Sequence, residues 1–196
     1  MKVDRFEIRL SGSGGQGIIL TSIILAEAAG IFEGYHVSQT QSYGPEARGG
    51  KCKAEVVISS RQIDYPKAVQ LDMMLAMNQA SCDAYCFGFK PNGLLLVDSD
   101  LVEQVPTSRV VPLPFTRIAR DEVGKELAAS IVALGALGHC CPILSRESLE
   151  AALAARVPKG TKQFNRKALK AGMKAAKEFD LESLPRSVIP EEEEEI

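Results

Sequence analysis

The chain lacks an excess of charge of either sign. Lysine and arginine total 23 against 25 aspartates and glutamates, and five of the acids form the terminal run Glu191 to Glu195. Residues 1–190 therefore carry 23 basic and 20 acidic side chains, a net charge of +3. A nucleic-acid-binding protein usually shows a clustered basic footprint, which this balance does not provide. We expect no nucleic-acid partner.

Long apolar runs and a secretory leader are also missing. The two most apolar stretches, residues 18–32 and 127–144, fall short of the ~20 clean apolar residues that span a bilayer. Polar residues interrupt both stretches: Thr21, Ser22, Glu27, Ser130 and His139. Charged side chains crowd the first nine residues, which leaves no space for the apolar segment of a secretory signal. We therefore expect a cytoplasmic chain with no membrane partner.

Residues that bind metals or act as catalysts are scarce. His36 and His139 are the only histidines, and neither has a partner at metal-ligand spacing. The five cysteines form no CxxC pair, and their odd number favours a reducing compartment. An iron–sulfur cluster needs four thiolates in compact motifs. Asp98 and Asp100 follow an apolar run, where a turn or capping role is favoured over a catalytic carboxylate pair. We assign no catalytic residue and no metal ligand to this chain.

The first half of the chain has the pattern of an α/β protein. Residues 6–10 alternate apolar and polar, a glycine cluster follows at 11–17, and an apolar stretch with helical spacing comes next. This order predicts a strand, a glycine-rich turn and a helix. A second strand is predicted at 35–39, a long polar loop at 40–50 and a third strand at 52–59.

The second half continues this pattern and then becomes helical. The apolar run 71–77 precedes Asn78, which is a suitable cap for a helix reaching about Phe87. Lys90-Pro91-Asn92-Gly93 predicts a turn before a strand at 94–97, and Val110 with Val111 predicts a last short strand. Helices are predicted at 116–138 with a possible break at Gly124, at 145–156 and at 161–179.

These elements predict a three-layer, Rossmann-like α/β fold. The sheet is expected to be mostly parallel, with a mixed sheet left open, and the C-terminal helices are expected to pack on it. A chain of 196 residues with 45% hydrophobic residues fits one medium-sized domain. We place that domain at residues 1–185 and expect an acidic, mobile tail at 186–196.

The glycine cluster is the first candidate binding site. Gly12, Gly14 and Gly17 have the GxGxxG spacing between a predicted strand and a predicted helix. Glycines there permit a tight turn, and the N–H groups of the helix start favour an anion. A dinucleotide enzyme also needs an acidic residue ~20 residues further on, but the second strand ends in Gln39-Thr40-Gln41. Three interpretations stay open: a packing turn, a dinucleotide site, and an anion or partner-subunit contact.

The second candidate is the stretch Ser42-Tyr43-Gly44-Pro45-Glu46-Ala47-Arg48-Gly49-Gly50. It is polar, rich in glycine and close to the end of the second predicted strand. In an open α/β sheet that edge adjoins the first glycine turn, so Arg48 and the two loops are expected to frame one crevice. An ordinary solvent-exposed loop is the alternative, although long loops in compact domains are usually functional or disordered.

The last predicted helix is amphipathic. Its basic residues are Lys162, Arg166, Lys167, Lys170, Lys174 and Lys177, with no acid before Glu178, and small or aromatic residues form another side. A helix docked on the core with a solvated basic face explains this pattern. A surface for a partner or an anion is the alternative.

The two candidate motifs together resemble the gamma subunit of 2-oxoacid:ferredoxin oxidoreductases. The similarity continues through the strand at 52–59, through Lys90 to Asp98 and through Ala133-Leu134-Gly135-Ala136-Leu137, and covers most of residues 5–180. The length and the second motif look most like the separate gamma chains of 2-oxoglutarate enzymes. Pyruvate and branched-chain oxoacid versions stay open, and the beta chain of indolepyruvate ferredoxin oxidoreductase, which carries a similar domain, is the nearest competitor.

The resemblance implies an oxidoreductase subunit that is not active alone. In such enzymes thiamine diphosphate attacks the keto carbon of the 2-oxoacid, carbon dioxide leaves, electrons pass through iron–sulfur clusters to ferredoxin, and coenzyme A takes the acyl group. Thiamine diphosphate, Mg²⁺ and the clusters are then expected on partner subunits, namely alpha, beta and a ferredoxin-like delta subunit. This chain would supply an interface, and exposed apolar surface would permit a homodimer of the isolated chain.

The resemblance also implies which residues are near a cofactor. The candidate contacts to coenzyme A are Gly12, Ser13, Gly14, Gly15, Gln16, Gly17, Ser42, Tyr43, Gly44, Glu46, Arg48, Gly49 and Gly50. Backbone N–H groups and an arginine both suit phosphate. Two other classes are retained: a stand-alone dinucleotide-binding protein, and a binding or scaffold module that uses the basic last helix and the acidic tail.

Overall fold

A computed structural model describes residues 3–44 and 50–186, and within them six strands form one sheet. The strands are β1 (Phe6–Ser13), β2 (His36–Tyr43), β3 (Lys51–Ser59), β4 (Leu71–Ala76), β5 (Phe89–Asp98) and β6 (Val110–Leu113). Their order across the sheet is β2-β3-β1-β4-β5-β6. β3 runs antiparallel to both of its neighbours, and the β1-β4, β4-β5 and β5-β6 pairs are parallel. The predicted mostly parallel α/β sheet is confirmed.

Six α-helices cover the two faces of the sheet in the described part of the chain. They are α1 (Ile18–Glu27), α2 (Gln79–Tyr85), α3 (Phe115–Ile118), α4 (Ala129–Cys140), α5 (Arg146–Arg156) and α6 (Lys162–Lys177). The larger core joins α1 and α4 to α6 to one face of the sheet, including Ile8 and Leu10 of β1. A smaller core lies on the other face, where Met74 and Ala76 pack near Cys82 of α2. The chain therefore has the expected three layers.

The C-terminal helices are held by close backbone contact. Gly135 of α4 and Gly172 of α6 face each other across the helix pair. A Cβ atom on Gly135 would lie 2.0 Å from the Leu169 carbonyl oxygen, and one on Gly172 would lie 1.8 Å from the Val132 carbonyl oxygen. Since no side chain fits in those distances, the two glycines set how closely α4 and α6 approach.

Strands β1 and β2 are longer than predicted. β1 continues through Gly12 to Ser13, and β2 continues to Tyr43, which places the first residues of the predicted 40–50 loop in a strand. Both extensions pair with the start of β3, since Ser13 lies opposite Lys51 and Tyr43 opposite Cys52. Pairing partners distant in sequence thus override the local glycine and polar signals.

The predicted turn at Lys90 to Gly93 is wrong, because β5 runs through it from Phe89. The β4–β5 pairing shifts register between Leu71 and Met73, and this irregularity accommodates Pro91 and Gly93. A Cβ on Gly93 would lie 2.7 Å from the Leu71 carbonyl oxygen, so glycine is required by close approach rather than by a turn.

The predicted helix at 116–138 is broken, as anticipated, at Gly124. α3 passes into a π-helical turn at Ala119–Val123, Gly124 has a φ of +99°, and a 3₁₀ turn at Glu126–Ala128 leads into α4. The helix predicted to reach Phe87 ends instead at Tyr85. No helix among the described residues is long and apolar enough to cross a bilayer. The proposed acidic tail lies, apart from Arg186, outside the described residues.

Candidate functional site

The glycine turn between β1 and α1 is held by a small set of hydrogen bonds. Gly15 and Gly17 have φ values of +95° and +80°, which favour glycine. The Gln16 amide donates to the Ser13 carbonyl at 3.1 Å, and the Gln16 side-chain oxygen accepts from the Ser13 amide at 2.6 Å. The turn is therefore closed on itself, while Gly14 and Gly15 stay exposed.

Gly17 is the point where this turn meets the C-terminal helices. It is the N-cap residue of α1 and forms no side-chain cap. A Cβ there would lie 2.6 Å from Ser130 Oγ at the start of α4. Contact with α4 thus limits the path of the turn at Gly17. The N-terminus of α1 is on the side of the turn that α4 does not contact.

The second motif reaches the same place. The Gly14 amide donates to the Gly50 carbonyl at 3.0 Å, and the Gly44 amide donates to the Lys51 carbonyl at 2.9 Å. Because β3 begins beside the end of β1, Gly50, the residue before β3, lies next to the glycine turn. The structure therefore brings the described ends of the second stretch, Gly44 and Gly50, close to the first stretch.

The route by which they meet differs from the expectation. β2 does not adjoin β1, since β3 lies between them. In the dinucleotide-binding fold the second strand lies next to the first, where its terminal acid reaches a ribose. Here β2 ends in polar residues without an acid, one strand further away. The topology and the sequence both disfavour a dinucleotide site of the usual kind.

Part of the second motif has no described position. Glu46, Arg48 and Gly49 lie outside the described residues, together with Pro45 and Ala47. Ser42 and Tyr43 are exposed at the end of β2, and Gly44 and Gly50 mark the two ends of the connection. The roles of all these residues stay predictions.

Asn78 is a residue that sequence reasoning assigned only as a cap. It does cap α2, because its side-chain oxygen accepts from the Ser81 amide at 2.9 Å. Its side-chain nitrogen also donates to Ser13 Oγ at 2.8 Å and to Gln16 Oε1 at 2.9 Å. Asn78 therefore joins α2 to the glycine turn. Its position directly after β4, at the same sheet edge as the end of β1, is the signal that could have found it.

A buried ion pair joins β1 to β3 on the strands that lead to the site. Arg9 Nε lies 2.9 Å from Glu55 Oε1, with both side chains about 95% buried, and Lys53 Nζ lies 3.0 Å from the same oxygen. Burial raises the pKa of Glu55, but hydrogen bonds and charge from Lys53 and Arg9 outweigh burial, so its pKa lies below the ordinary value. A cavity of about 320 Å³ beside this pair is lined partly by Thr40, Ser42 and Lys53. Both cations of this cluster are therefore already engaged by Glu55.

The start of α1 is a suitable binding site for an anion. Helix α1 is ten residues long and presents its first N–H groups at the turn without a capping side chain. Open space surrounds the position of a Cβ on Gly15, so a ligand can approach the backbone closely. Three N–H groups, those of Ser13, Gly14 and Gln16, are already used within the protein. The anion contact must therefore come from the remaining amides and from side chains.

Of the other candidate residues, Asp98 has a structural role and the two histidines lie at the surface. The Asp98 carboxylate is buried and accepts from the Thr116 amide at 2.9 Å and from the Asp100 amide at 3.2 Å, so it fastens α3 to the end of β5. Burial raises the pKa of Asp98 against these hydrogen bonds. His36 and His139 are exposed rather than enclosed. Among the described residues, no three His, Cys, Asp or Glu side chains are grouped to hold a metal ion.

The fold and the glycine turn define an α/β domain with a candidate anion-binding site. The family described as "Pyruvate ferredoxin/flavodoxin oxidoreductase" matches residues 7–175. The chain belongs to this family.

Individual relatives narrow the comparison. The chain is 48% identical over 179 residues to 2-oxoglutarate synthase subunit KorC of Methanocaldococcus jannaschii, covering 89% of this chain and 96% of that protein. The keto/oxoacid ferredoxin oxidoreductase gamma subunit of Geobacter sulfurreducens superposes with a TM-score of 0.80 and 44% identity, over 88% of this chain and 96% of that one. The 2-oxoglutarate:ferredoxin oxidoreductase of Magnetococcus marinus, with 2-oxoglutarate, coenzyme A and succinyl-CoA bound, has a TM-score of 0.79 and 25% identity, over 95% of this chain and 33% of that one.

Proposed function

We propose that this chain is the gamma subunit of a 2-oxoglutarate:ferredoxin oxidoreductase. The complex would convert 2-oxoglutarate and coenzyme A into an acyl-CoA and carbon dioxide, with the electrons passed to ferredoxin. The observation that carries the proposal is the 48% identity to a KorC subunit over nearly the whole of both chains. The glycine turn is compatible with it, because the uncapped start of α1 can accept an anion.

The chain would help to position coenzyme A and the partner subunits, and it would supply no catalytic residue. Thiamine diphosphate, Mg²⁺ and the iron–sulfur clusters would lie on alpha, beta and ferredoxin-like delta subunits, in the cytoplasm. The glycine turn and the β2–β3 connection would form part of the interface and would contact coenzyme A. Gly14 and the described ends of the connection, Gly44 and Gly50, lie close enough together to act as one surface.

Anaerobic affinity purification of the tagged full chain from its native cells tests membership of the complex. We expect other subunits to co-purify, and we expect reduction of ferredoxin or a viologen dye that needs both coenzyme A and 2-oxoglutarate. Pyruvate replaces 2-oxoglutarate as the matched control for substrate choice. A chain recovered alone and inactive, under conditions that preserve a known complex of this type, would contradict the proposal.

Contact with coenzyme A is tested separately, in the intact complex, by Arg48→Ala. A charge-assisted hydrogen bond is worth about 1.5–3 kcal/mol, so the KM for coenzyme A should rise about tenfold or more. Arg61→Ala is the matched control, since Arg61 is exposed and pairs with Asp4 3.5 Å away, beyond the opposite end of β3. If Arg48→Ala leaves both the KM and turnover unchanged, Arg48 does not contact coenzyme A, while membership of the complex is unaffected.

The stand-alone dinucleotide-binding protein is the second candidate. Only the GxGxxG spacing favours it, and β3 lies where the second strand of such a fold would be. Equilibrium dialysis of the purified chain against NAD and flavin distinguishes the two. Stoichiometric binding would favour the second candidate.

A further inference from the structure

A cavity of about 550 Å³ lies between the end of α4, the start of α5 and the second half of α6. α4 begins beside the glycine turn and is 12 residues long, which corresponds to about 18 Å. Its last turn therefore lies about 18 Å from the candidate site, near the opposite ends of the strands. The coenzyme A proposal makes no use of this cavity.

Among the described residues, four cations and no acidic residue line the cavity. The cations are Arg146, Lys170, Lys174 and Lys177. Arg146 hydrogen-bonds Glu150 at 2.8 Å, and Lys174 Nζ lies 4.0 Å from Glu178. Lys170 and Lys177 have no ion pair or side-chain hydrogen bond within residues 3–44 and 50–186. Two of the four charges are therefore available to a ligand.

Part of this placement of charge is unfavourable unless a ligand is bound. Lys170, Lys174 and Lys177 are four and three residues apart on α6, where like charges repel. Arg146 is the first residue of α5, where the helix dipole disfavours a cation, and its pair with Glu150 offsets this effect. The dipole at the end of α6 accounts only for the lysines of its last turn, Lys174 and Lys177. An anion in the cavity would relieve these unfavourable interactions together.

The floor of the cavity is apolar. Leu144 is buried, Met173 is partly buried, and both lie among the lining residues. An inorganic ion needs no apolar surface, whereas small organic ligands usually occupy cavities of about 300–1,000 Å³ with apolar walls and a few polar groups. We propose that this cavity binds a small organic polyanion, with an apolar body on Met173 and Leu144 and at least two phosphate, sulfonate or carboxylate groups at the lysines.

The test uses the full chain and pyrene-1,3,6,8-tetrasulfonate, a fluorescent aromatic polyanion, with binding followed by anisotropy. We expect saturable binding of one probe per chain. The double variant Lys170→Gln with Lys177→Gln should weaken binding at least tenfold. The matched control is Lys162→Gln with Lys167→Gln, which removes the same charge from exposed positions on the same helix outside the cavity. The control should bind within twofold of the unmodified chain.

Two further probes distinguish a small organic polyanion from an inorganic anion and from an acidic peptide. Inorganic sulfate should compete at least 100-fold more weakly than the tetrasulfonate, since it has no apolar body. A glutamate-rich peptide with one central leucine should also compete weakly. Equal losses in the two double variants would reduce the effect to general surface charge and overturn the site. Tighter binding of the peptide, with the same dependence on Lys170 and Lys177, would replace the small molecule by an acidic protein segment.

Discussion

Gly17 combines a φ of +80° with a Cβ position 2.6 Å from Ser130 Oγ. Gly17→Ala should therefore destabilise the chain twice, through backbone strain of about 1–2 kcal/mol and through the contact with α4. We expect a total loss of about 3 kcal/mol in the free energy of unfolding. Urea unfolding followed by circular dichroism measures it.

Gly15 and Ser130 supply the controls for this prediction. Gly15 has a φ of +95° with open space around its Cβ position, so Gly15→Ala should show the strain alone. Adding Ser130→Ala to Gly17→Ala removes the oxygen in the contact and should recover part of the loss, as a double-mutant cycle would detect. Equal losses for the two glycine variants and no recovery would mean that α4 does not position the turn.

Cys140 is expected to be an unreactive thiol at neutral pH. Burial raises its pKa from 9.0 to about 11, and the pKa of the adjacent Cys141 to about 12. Because only the thiolate is alkylated, the rate of reaction of Cys140 with iodoacetamide at pH 8 should be about 100-fold below that of the same cysteine in the unfolded chain. The logarithm of the rate should keep rising linearly from pH 7 to pH 10.

The sign of the stability effect follows from the same shift. A folded-state pKa above the unfolded value leaves stability unchanged below about pH 9, and stability falls as the pH rises beyond it. Peptide mapping after timed alkylation measures Cys140 and Cys141 separately, and circular dichroism checks that the chain stays folded. A rate for Cys140 that levels off near pH 9 would show an ordinary thiol.

At the level of residues, sequence patterns singled out two candidate stretches but not the contacts that hold them. The glycine turn and the second motif were found because their residue types are unusual for their position. The hydrogen bonds of Asn78 to Ser13 and Gln16 join residues about 60 positions apart, which no local pattern reports. The Arg9–Glu55 pair was missed for the same reason, since each residue taken alone fits an exposed strand position.

Among the elements, the α4–α6 pair depends on two glycines. A Cβ on Gly172 would lie 1.8 Å from the Val132 carbonyl oxygen, and a backbone atom cannot move aside as a side chain can. Gly172→Ala should push the helices apart and lower the free energy of unfolding by about 3 kcal/mol, despite the better helix propensity of alanine. Thermal and urea unfolding both measure this loss.

Gly160 provides the contrast. It lies in the turn before α6 with nothing within 4 Å of its Cβ position and without a positive φ. Gly160→Ala should be neutral or stabilise the chain by up to about 1 kcal/mol, because the unfolded chain loses freedom. If Gly172→Ala proved as harmless as Gly160→Ala, the close approach of α4 and α6 would be wrong.

Strands whose residues are buried on both faces were predicted well. Strand segments that depend on pairing with a distant strand were predicted poorly. The run Leu94 to Val97 lies in a central strand covered on both faces, and its continuous apolar pattern identified it. The end of β2 is polar and looks like a loop, yet it is a strand because β3 pairs with it. Likewise, proline and glycine at 91–93 indicated a turn, but the register shift in β5 accommodates them.

For the whole molecule, the α/β class followed from the alternation of strands and helices, but the strand order did not. The antiparallel insertion of β3 between β2 and β1 depends on pairing between strands distant in sequence, so it could not be read from the sequence. That insertion brings Gly50, at the start of β3, to the glycine turn, and it makes β2 an edge of the sheet.

The two edges of the sheet differ in how they are protected. β6 has four residues with Pro112 inside it and Pro114 just after it, which limits pairing with another chain. β2 has eight residues without proline and ends at Tyr43, whose side chain is 63% exposed. An unprotected edge beside the candidate site is therefore the surface that the proposed partner subunits should cover.

Hydrogen exchange measured by mass spectrometry tests this asymmetry in the isolated full chain and in the purified complex. Outward-facing amides of β2 should exchange quickly in the isolated chain and about tenfold or more slowly in the complex, because a partner excludes water from them. Peptides from β6 serve as the internal control and should change little. If β2 exchanges equally fast in an active complex, the partners dock elsewhere, and the exposed edge needs another explanation.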